Sequence, residues 1–319
     1  MLPLINGGYP RDFLFPFLRS HVPHLERLGI PLVHRHYKVQ DLKDAILEGC
    51  PKLQHIAGNN FRHGYEGGKS MLFDVVRYCV PSGLRSIRAS FQEFSVQDVR
   101  RRNLLKTLLE YHATTLEQFE LLDHEGVSSI HLNPVLAKCR KLREFRINPF
   151  ERGLPNSRRA AITYQDEASG VWVCHDIKVL YLRLDPIVTV LAADTIQDTV
   201  DQEGKETYAQ IGRLVKLEEL GLGCTVNGPD MKDLTLKIGR LAELAGLKEL
   251  RQFCILTNLW ASMGQAEVEF MASHWPKIEK ISLHMDEEMV GFDLDVFSKP
   301  HWRWLKEKRP HIVLTIISL

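Results

Sequence analysis

Cys139-Arg-Lys-Leu142-Arg-Glu-Phe145-Arg-Ile147 is the stretch whose pattern decides the fold. From Leu142 it runs apolar, two variable residues, apolar, one variable residue, apolar. The same spacing recurs before it as Leu25/Leu28/Ile30, Leu53/Ile56/Gly58, Leu84/Ile87/Ala89 and Leu116/Phe119/Leu121. After it come Ile177/Leu180/Leu182, Leu217/Leu220/Leu222, Leu250/Phe253/Ile255 and Ile278/Ile281/Leu283. Successive copies start between 26 and 40 residues apart. Self-similarity at this period overrides the usual size prior for domain number, because each unit packs only on its neighbours and the array has no upper length.

The copies have strand periodicity. Side chains of a strand alternate between its two faces, so if positions 1, 4 and 6 enter the core, positions 3, 5 and 7 face the other way. The segments between copies read as helices: Asp41 to Gly49, Ser70 to Cys79, Val96 to His112, Lys205 to Val215, Pro229 to Ala245 and Ala266 to His274. The first opens on an N-cap type and closes on glycine. The predicted architecture is an α/β solenoid of about nine to ten repeats, a horseshoe with a parallel concave sheet and convex helices. It occupies residues 23–319, and residues 1–22 form an N-terminal cap or truncated repeat. Irregular insertions fall around 150–175, where Ala160 to Tyr164 and Val171 to Cys174 read as a hairpin, and around 186–216, whose middle, Asp194 to Thr207, is polar. Ile312 to Leu319 reads as a final strand, with Trp302 and Trp304 covering that end of the core.

Bulk properties narrow the function classes. The formal net charge is +1, which supplies no field favouring nucleic acid or an anionic membrane. No stretch is long and apolar enough to span a bilayer. The opening Met1-Leu-Pro-Leu-Ile-Asn-Gly-Gly has neither a basic n-region nor an apolar h-region, so a cytoplasmic or nuclear location is expected. Cys50, Cys139 and Cys174 each stand three residues before a copy, in a slot that elsewhere holds Val22, Ala113, Leu214, Leu247 and Trp275. A slot of that composition is an apolar packing position, where a free thiol behaves as a small hydrophobe.

Candidate chemistry is thin. Gly64-Tyr-Glu-Gly-Gly68-Lys69-Ser70 lies between a strand and a helix, as a phosphate loop does, but residue 63 is histidine where that motif needs its first glycine. It reads as the strand-to-helix turn of the second repeat, and an enzyme or nucleotide binder using Gly64 to Ser70 is the weakest alternative. His34 and His36 share a face of an extended segment, with His21 and His24 nearby, yet no further ligand stands at a metal spacing. The basic clusters Arg100-Arg101-Arg102, Arg158-Arg159 and Lys306 to Arg309 read as solvated surface. The aromatic-rich run Trp260 to Trp275 places Val268, Met271, Ala272 and Trp275 at core spacing. Catalytic, cofactor and metal residues are therefore expected to be none.

What remains is the concave surface. Position 5 reads Gly29, Ala57, Arg88, Glu120, Arg146, Tyr181, Gly221, Cys254 and Ser282, and position 7 adds Arg183 in the sixth copy and Gly223 in the seventh. Arg88, Glu120, Arg146, Tyr181 and Arg183 put bulky, directional groups on units three to six, and Arg and Tyr carry much of the energy at interface centres. They are the candidate partner-binding residues, with a solvated ion-pair lattice (Arg88 with Glu120, Glu144 with Arg146) as the alternative reading. Gly221 and Gly223 would leave a bare patch on unit seven.

The Cys-x-x-Leu-x-x-Leu-x-Leu spacing, closed in the eighth copy by Asn258, resembles the long leucine-rich repeats of F-box/LRR proteins and of ribonuclease-inhibitor-like solenoids. The run Met263-Gly-Gln-Ala-Glu-Val-Glu-Phe-Met271, His274-Trp-Pro, His301-Trp-Arg-Trp-Leu305 and Lys308-Arg-Pro310 resembles a fungal F-box/LRR family. The resemblance implies a substrate-recognition solenoid of a ubiquitin-ligase adaptor, with Skp/cullin components as partners only if an F-box lies upstream. Residues 1–24 depart from the family here, being too short for an F-box of about 40–50 residues that must bury a helical core. The alternative is a regulatory scaffold or enzyme inhibitor of ribonuclease-inhibitor type. Either way the expected activity is non-catalytic binding of a protein on the concave face, without nucleic acid or membrane.

Overall fold

The computed structural model describes residues 16–20, 23–31, 33–34, 39–59, 69–79, 83–89, 102–121, 129–147, 162–163, 171–185, 205–224, 238–256, 263–285 and 296–318. Ten strands form one parallel sheet in chain order: β1 (Arg27–Pro31), β2 (His55–Asn59), β3 (Ser86–Ala89), β4 (Gln118–Leu121), β5 (Glu144–Ile147), β6 (Val179–Asp185), β7 (Glu219–Cys224), β8 (Gln252–Leu256), β9 (Lys280–Met285) and β10 (Val313–Ser318). Each expected copy became a strand, and each strand neighbours the copies before and after it. Helices α1 (Val39–Gly49), α2 (Met71–Tyr78), α3 (Arg102–His112), α4 (Ser129–Lys138), α5 (residues 205–212), α6 (Ile238–Leu241, continued as a 3-10 turn to Gly246), α7 (Gln265–His274) and α8 (Pro300–Lys308) lie between successive strands. This is an α/β leucine-rich-repeat solenoid.

The register follows the sequence residue for residue. Gly29 pairs with Ala57, Ala57 with Arg88, Arg88 with Glu120, Glu120 with Arg146, and Arg146 with Tyr181. The row continues through Gly221, Cys254, Ser282 and Thr315. Position 4 lines the core: Ile56, Ile87, Phe119, Phe145, Leu180, Leu220, Phe253 and Ile281 are buried, and the Phe119 and Phe145 rings stack at 5.4 Å. A bifurcated carbonyl at the entrance of each strand from β2 to β9 fixes the register. Glu117 O, for example, accepts from both Arg143 N and Glu144 N, and Arg143 O accepts from Lys178 N and Val179 N. Exposed pairs decorate that edge, with Lys178 and Glu218 at 2.6 Å and Arg251 and Glu279 at 3.1 Å. Such pairs contribute about 0–1 kcal/mol each and add little beside the buried row.

The cysteine slot is apolar as expected, and Cys50, Cys139 and Cys174 are buried free thiols. Burial pushes Cys50 up to about 11, and Cys139 and Cys174 up to about 12. Unit three places a fourth thiol, Cys79, as the residue following its helix. Ahead of β3, Gly83 stands in the left-handed region (φ 68°).

One expectation needs correction, and two helices were not read from the sequence. Residues 162–163 do not form a hairpin with Val171 to Cys174. They pair in parallel with Leu184 and Asp185, and 171–174 carries no strand. Instead that segment lies in the helix layer as extended chain. Trp172 and Cys174 are buried, Val173 N donates to Leu136 O in α4, and Trp172 N donates to Gln210 Oε1 in α5. Its alternation of buried and outward residues, which reads as a hairpin strand, arises from packing between two helices. Of the two helices, α4 forms despite Pro134 inside it. The other is α8. Pro300 opens it, where a missing N–H costs nothing. Residues 96–101, 194–204 and 229–237, Arg158, Arg159 and Trp260 lie outside the described residues. In the run that ends at Trp275, Val268, Met271 and Trp275 are buried, and Ala272 packs against them.

Candidate partner-binding face

The helices occupy one side of the sheet, so positions 3 and 5 of the strands form its open face. At the N-terminal end this face is hollow. A groove of about 560 Å³ spreads over β1 to β5, floored where Gly29 and Ala57 supply almost no side chain and edged by Arg27, His55, Arg88 and Glu144. Strand neighbours are about 4.8 Å apart. The long position-5 side chains of β3 to β5 therefore stand as a wall beside Gly29 and Ala57 of β1 and β2.

Four of the five residues singled out by sequence have described side chains. Arg88 Nε lies 3.3 Å from Glu120 Oε2, and Arg146 Nε lies 3.8 Å from Glu144 Oε2, so the ion-pair lattice of the alternative reading forms. The Arg146 guanidinium also sits 4.8 Å from the centroid of the Tyr181 ring, within cation–π range. Arg183 pairs through its backbone with Gly223 in β7, and its side chain lies outside the described ones.

One partner was missed. Arg146 Nη2 donates to Glu219 Oε2 at 3.3 Å, although Glu219 belongs to β7 and Arg146 to β5. The position-3 residue of the strand between them, Val179, is short and apolar. A long guanidinium can pass over it and reach the second strand. The signal was present in the position-3 row, Glu144, Val179, Glu219, but it becomes legible only when diagonals across two strands are considered.

The bare patch expected at Gly221 is not bare. The Tyr181 ring lies against Gly221, so a Cβ there would collide with the ring. Gly221 and Gly223 are both buried. The glycine gives a neighbouring aromatic a seat, and Tyr181 is half-buried on it, its phenol pushed up to about 12 chiefly by burial. Further along the row Cys254 is buried, and Ser282 Oγ and Thr315 Oγ1 are hydrogen-bonded at 2.9 Å. The open face thus has a hollow, charged N-terminal half and a filled, closely packed C-terminal half.

Other candidates fall to structure-building roles or outside view. Lys69 and Ser70 form a two-residue antiparallel pairing with His34 and Val33, and Gly64 to Gly68 lie outside the described residues, as do Arg100 and Arg101. Among the described residues no group of three or more His, Cys, Asp or Glu could hold a metal ion. His21 and His36 fall outside them, and His24 is 3.4 Å from Lys52 Nζ. In the C-terminal basic cluster, Lys306 Nζ donates to Ile312 O and Arg309 donates to Ala272 O and Pro276 O, so these cations hold backbone carbonyls. No described helix is long and apolar enough to cross a membrane.

No family model matches the chain, and no curated protein matches it. Among solved structures it is similar to the leucine-rich repeat-containing protein LegL7 from Legionella pneumophila. That match covers 98% of this chain and 99% of the other, with 15% identity and a TM-score of 0.39. The fold assignment rests on the ten-strand ladder and its register.

Proposed function

We propose that this chain is a non-catalytic protein-interaction solenoid that docks a protein partner on the open face of its sheet. The observation that carries this reading is the hollow over β1 to β5, bordered by guanidinium and carboxylate groups already held in place by one another. Side chains fixed before binding lose little rotamer freedom on binding, which favours affinity. Arg88, Glu120, Arg146 and Tyr181 supply the planar and charged groups that dominate interface centres. A finer form of the reading, supported by the resemblance of the C-terminal run to F-box/LRR proteins, makes the partner a substrate presented to a Skp/cullin ubiquitin ligase.

The test is affinity capture with quantitative mass spectrometry, comparing the full chain with an Arg88→Gln/Arg146→Gln double variant. Partners recovered by the wild-type chain should be depleted by about tenfold or more from the variant, while its melting temperature shows that it remains folded. Equal recovery by a folded variant would remove the open face as the docking surface. Recovery of Skp and cullin with the full-length gene product supports the ligase form, and their absence from a capture that retains other partners discards it.

A further inference from the structure

The charges of the groove are unevenly matched. Over β3 to β5, Arg88 is paired with Glu120, and Arg146 is paired with both Glu144 and Glu219. Over β1 and β2 the charged group is Arg27, with the His55 imidazole as its cross-strand neighbour in register. Arg27 is exposed and has no ion-pair partner among the described residues. The unmatched cation therefore stands at the end of the groove where the floor is lowest, beside Gly29 and Ala57.

The shape limits what can sit there. Five strands span about 19 Å from β1 to β5 at the usual 4.8 Å spacing, the length of about six residues of extended chain. The floor admits small or flat groups, because Gly29 and Ala57 carry little or no side chain there. A nucleic-acid strand is disfavoured, because two glutamates stand in the groove and, among the described residues, only Arg27 is left as an unmatched cation, whereas phosphate backbones are bound by several cations at once.

We infer that the groove takes an extended acidic segment of a protein partner, with an Asp or Glu side chain seated on Arg27 above the Gly29 and Ala57 floor. A carboxylate suits the two-pronged guanidinium. Its apolar stem fits the shallow floor, and the remainder of the segment crosses β3 to β5 where the protein's charges are already balanced. This inference rests on the docking function proposed above and adds the chemistry of the occupant and the end of the groove where it is anchored.

Fluorescence anisotropy with labelled, C-terminally amidated peptides of about eight residues tests it. The probe alternates Glu and Ser, and its controls carry Gln or Lys in place of Glu. A Gln–Ser peptide with a free C-terminal carboxylate and an oligothymidylate of similar length complete the set. The Glu–Ser peptide should bind the full chain, bind Arg27→Gln about tenfold or more weakly, and bind Arg303→Glu, on the helix side, as tightly as wild type. Loss of binding that the variant's melting temperature traces to unfolding is resolved with Arg27→Lys, which should bind better than Arg27→Gln. Equal or tighter binding of the Gln, Lys, free-carboxylate or oligothymidylate probe would overturn the inference, as would unchanged affinity in folded Arg27→Gln. If the acidic probe fails while capture of partners still depends on Arg88 and Arg146, only this inference fails. If capture is indifferent to those two arginines, the docking reading itself fails.

Discussion

At the scale of single residues, the open face is organised around Arg146 and Tyr181. Arg146 collects Glu144, Glu219 and the Tyr181 ring, so its charge is part of what keeps three strands' side chains in place. Arg146→Glu would set three carboxylates side by side. It should lower stability by about 1–2 kcal/mol, since like charges across strands repel, and the loss should shrink in high salt; Arg146→Gln should cost less. Denaturant titrations at two ionic strengths check this. A salt-independent loss would mean that packing over Tyr181 matters more than charge. Gly221 gives a sharper test of the same cluster. Gly221→Ala drives a methyl into the Tyr181 ring and should cost about 1–3 kcal/mol as an overpacked site. In a Tyr181→Ser background the same change should cost almost nothing, because the obstructing ring is gone. A double-mutant cycle by urea unfolding measures the coupling, and additive effects would show that the ring does not depend on the glycine.

At the scale of elements, the buried row sets the stability and a buried histidine ties three elements of the neighbouring units together. Leu220, fully buried in β7, should lose about 2–5 kcal/mol on change to alanine. His112 ends α3, its Nδ1 accepts Leu84 N–H at 3.0 Å ahead of β3, and its Nε2–H donates to Val76 O at 2.7 Å in α2. Burial holds its pKa below the ordinary value. The unfolded chain takes up a proton near pH 6.5 and the folded chain does so only at lower pH. The stability from neutral His112 is therefore complete above about pH 6.5 and erodes as pH falls below it. His112→Leu should melt lower than wild type at pH 7.5, and the gap should narrow toward pH 5.5 in a thermal series. A gap that stays constant would show that the ring does not titrate. Such elements also mark how far the sequence is legible. The repeat strands β1 to β9 and their register could be read, because the spacing of Leu, Ile and Phe repeats in a period that only one packing satisfies. The His112 bridge could not, because it joins groups 28 and 36 residues apart whose meeting depends on the stacking of helices. Nor could the placement of Val171 to Cys174, whose alternation matches a strand but whose backbone partners are helices. On the open face, Arg88 with Glu120 followed directly from register, whereas Arg146 with Glu219 required reach across an intervening strand, and the seat of Tyr181 on Gly221 required knowing which way a ring lies.

At the scale of the molecule, a solenoid in which each unit touches only its neighbours distributes the effect of a mutation unevenly. The C-terminal units show why. Trp302 on α8 is fully buried, with Phe297 edge-on to it at 5.4 Å, and α8 packs on α7, whose following residue Trp275 contacts Phe253 at 5.0 Å. This chain of aromatic contacts closes the layer between β8 and β10, as the sequence suggested for Trp302. Trp302→Ala should cost about 3–5 kcal/mol as a large cavity. In a globular domain that loss would be shared by the whole structure. Here it should fall on the last units, because each unit packs on its neighbours and the described ladder joins them to β1 to β5 through the intervening repeats. Native-state hydrogen exchange followed by mass spectrometry should show faster exchange in β9, β10, α7 and α8, and unchanged protection in β2 to β5. The peptide-binding groove, at the far end of the ladder, should keep its affinity for an acidic segment in the same variant. Uniform acceleration along all ten strands would instead mean that the array unfolds as one cooperative unit, and a substitution anywhere in the buried row would then weaken the groove as well.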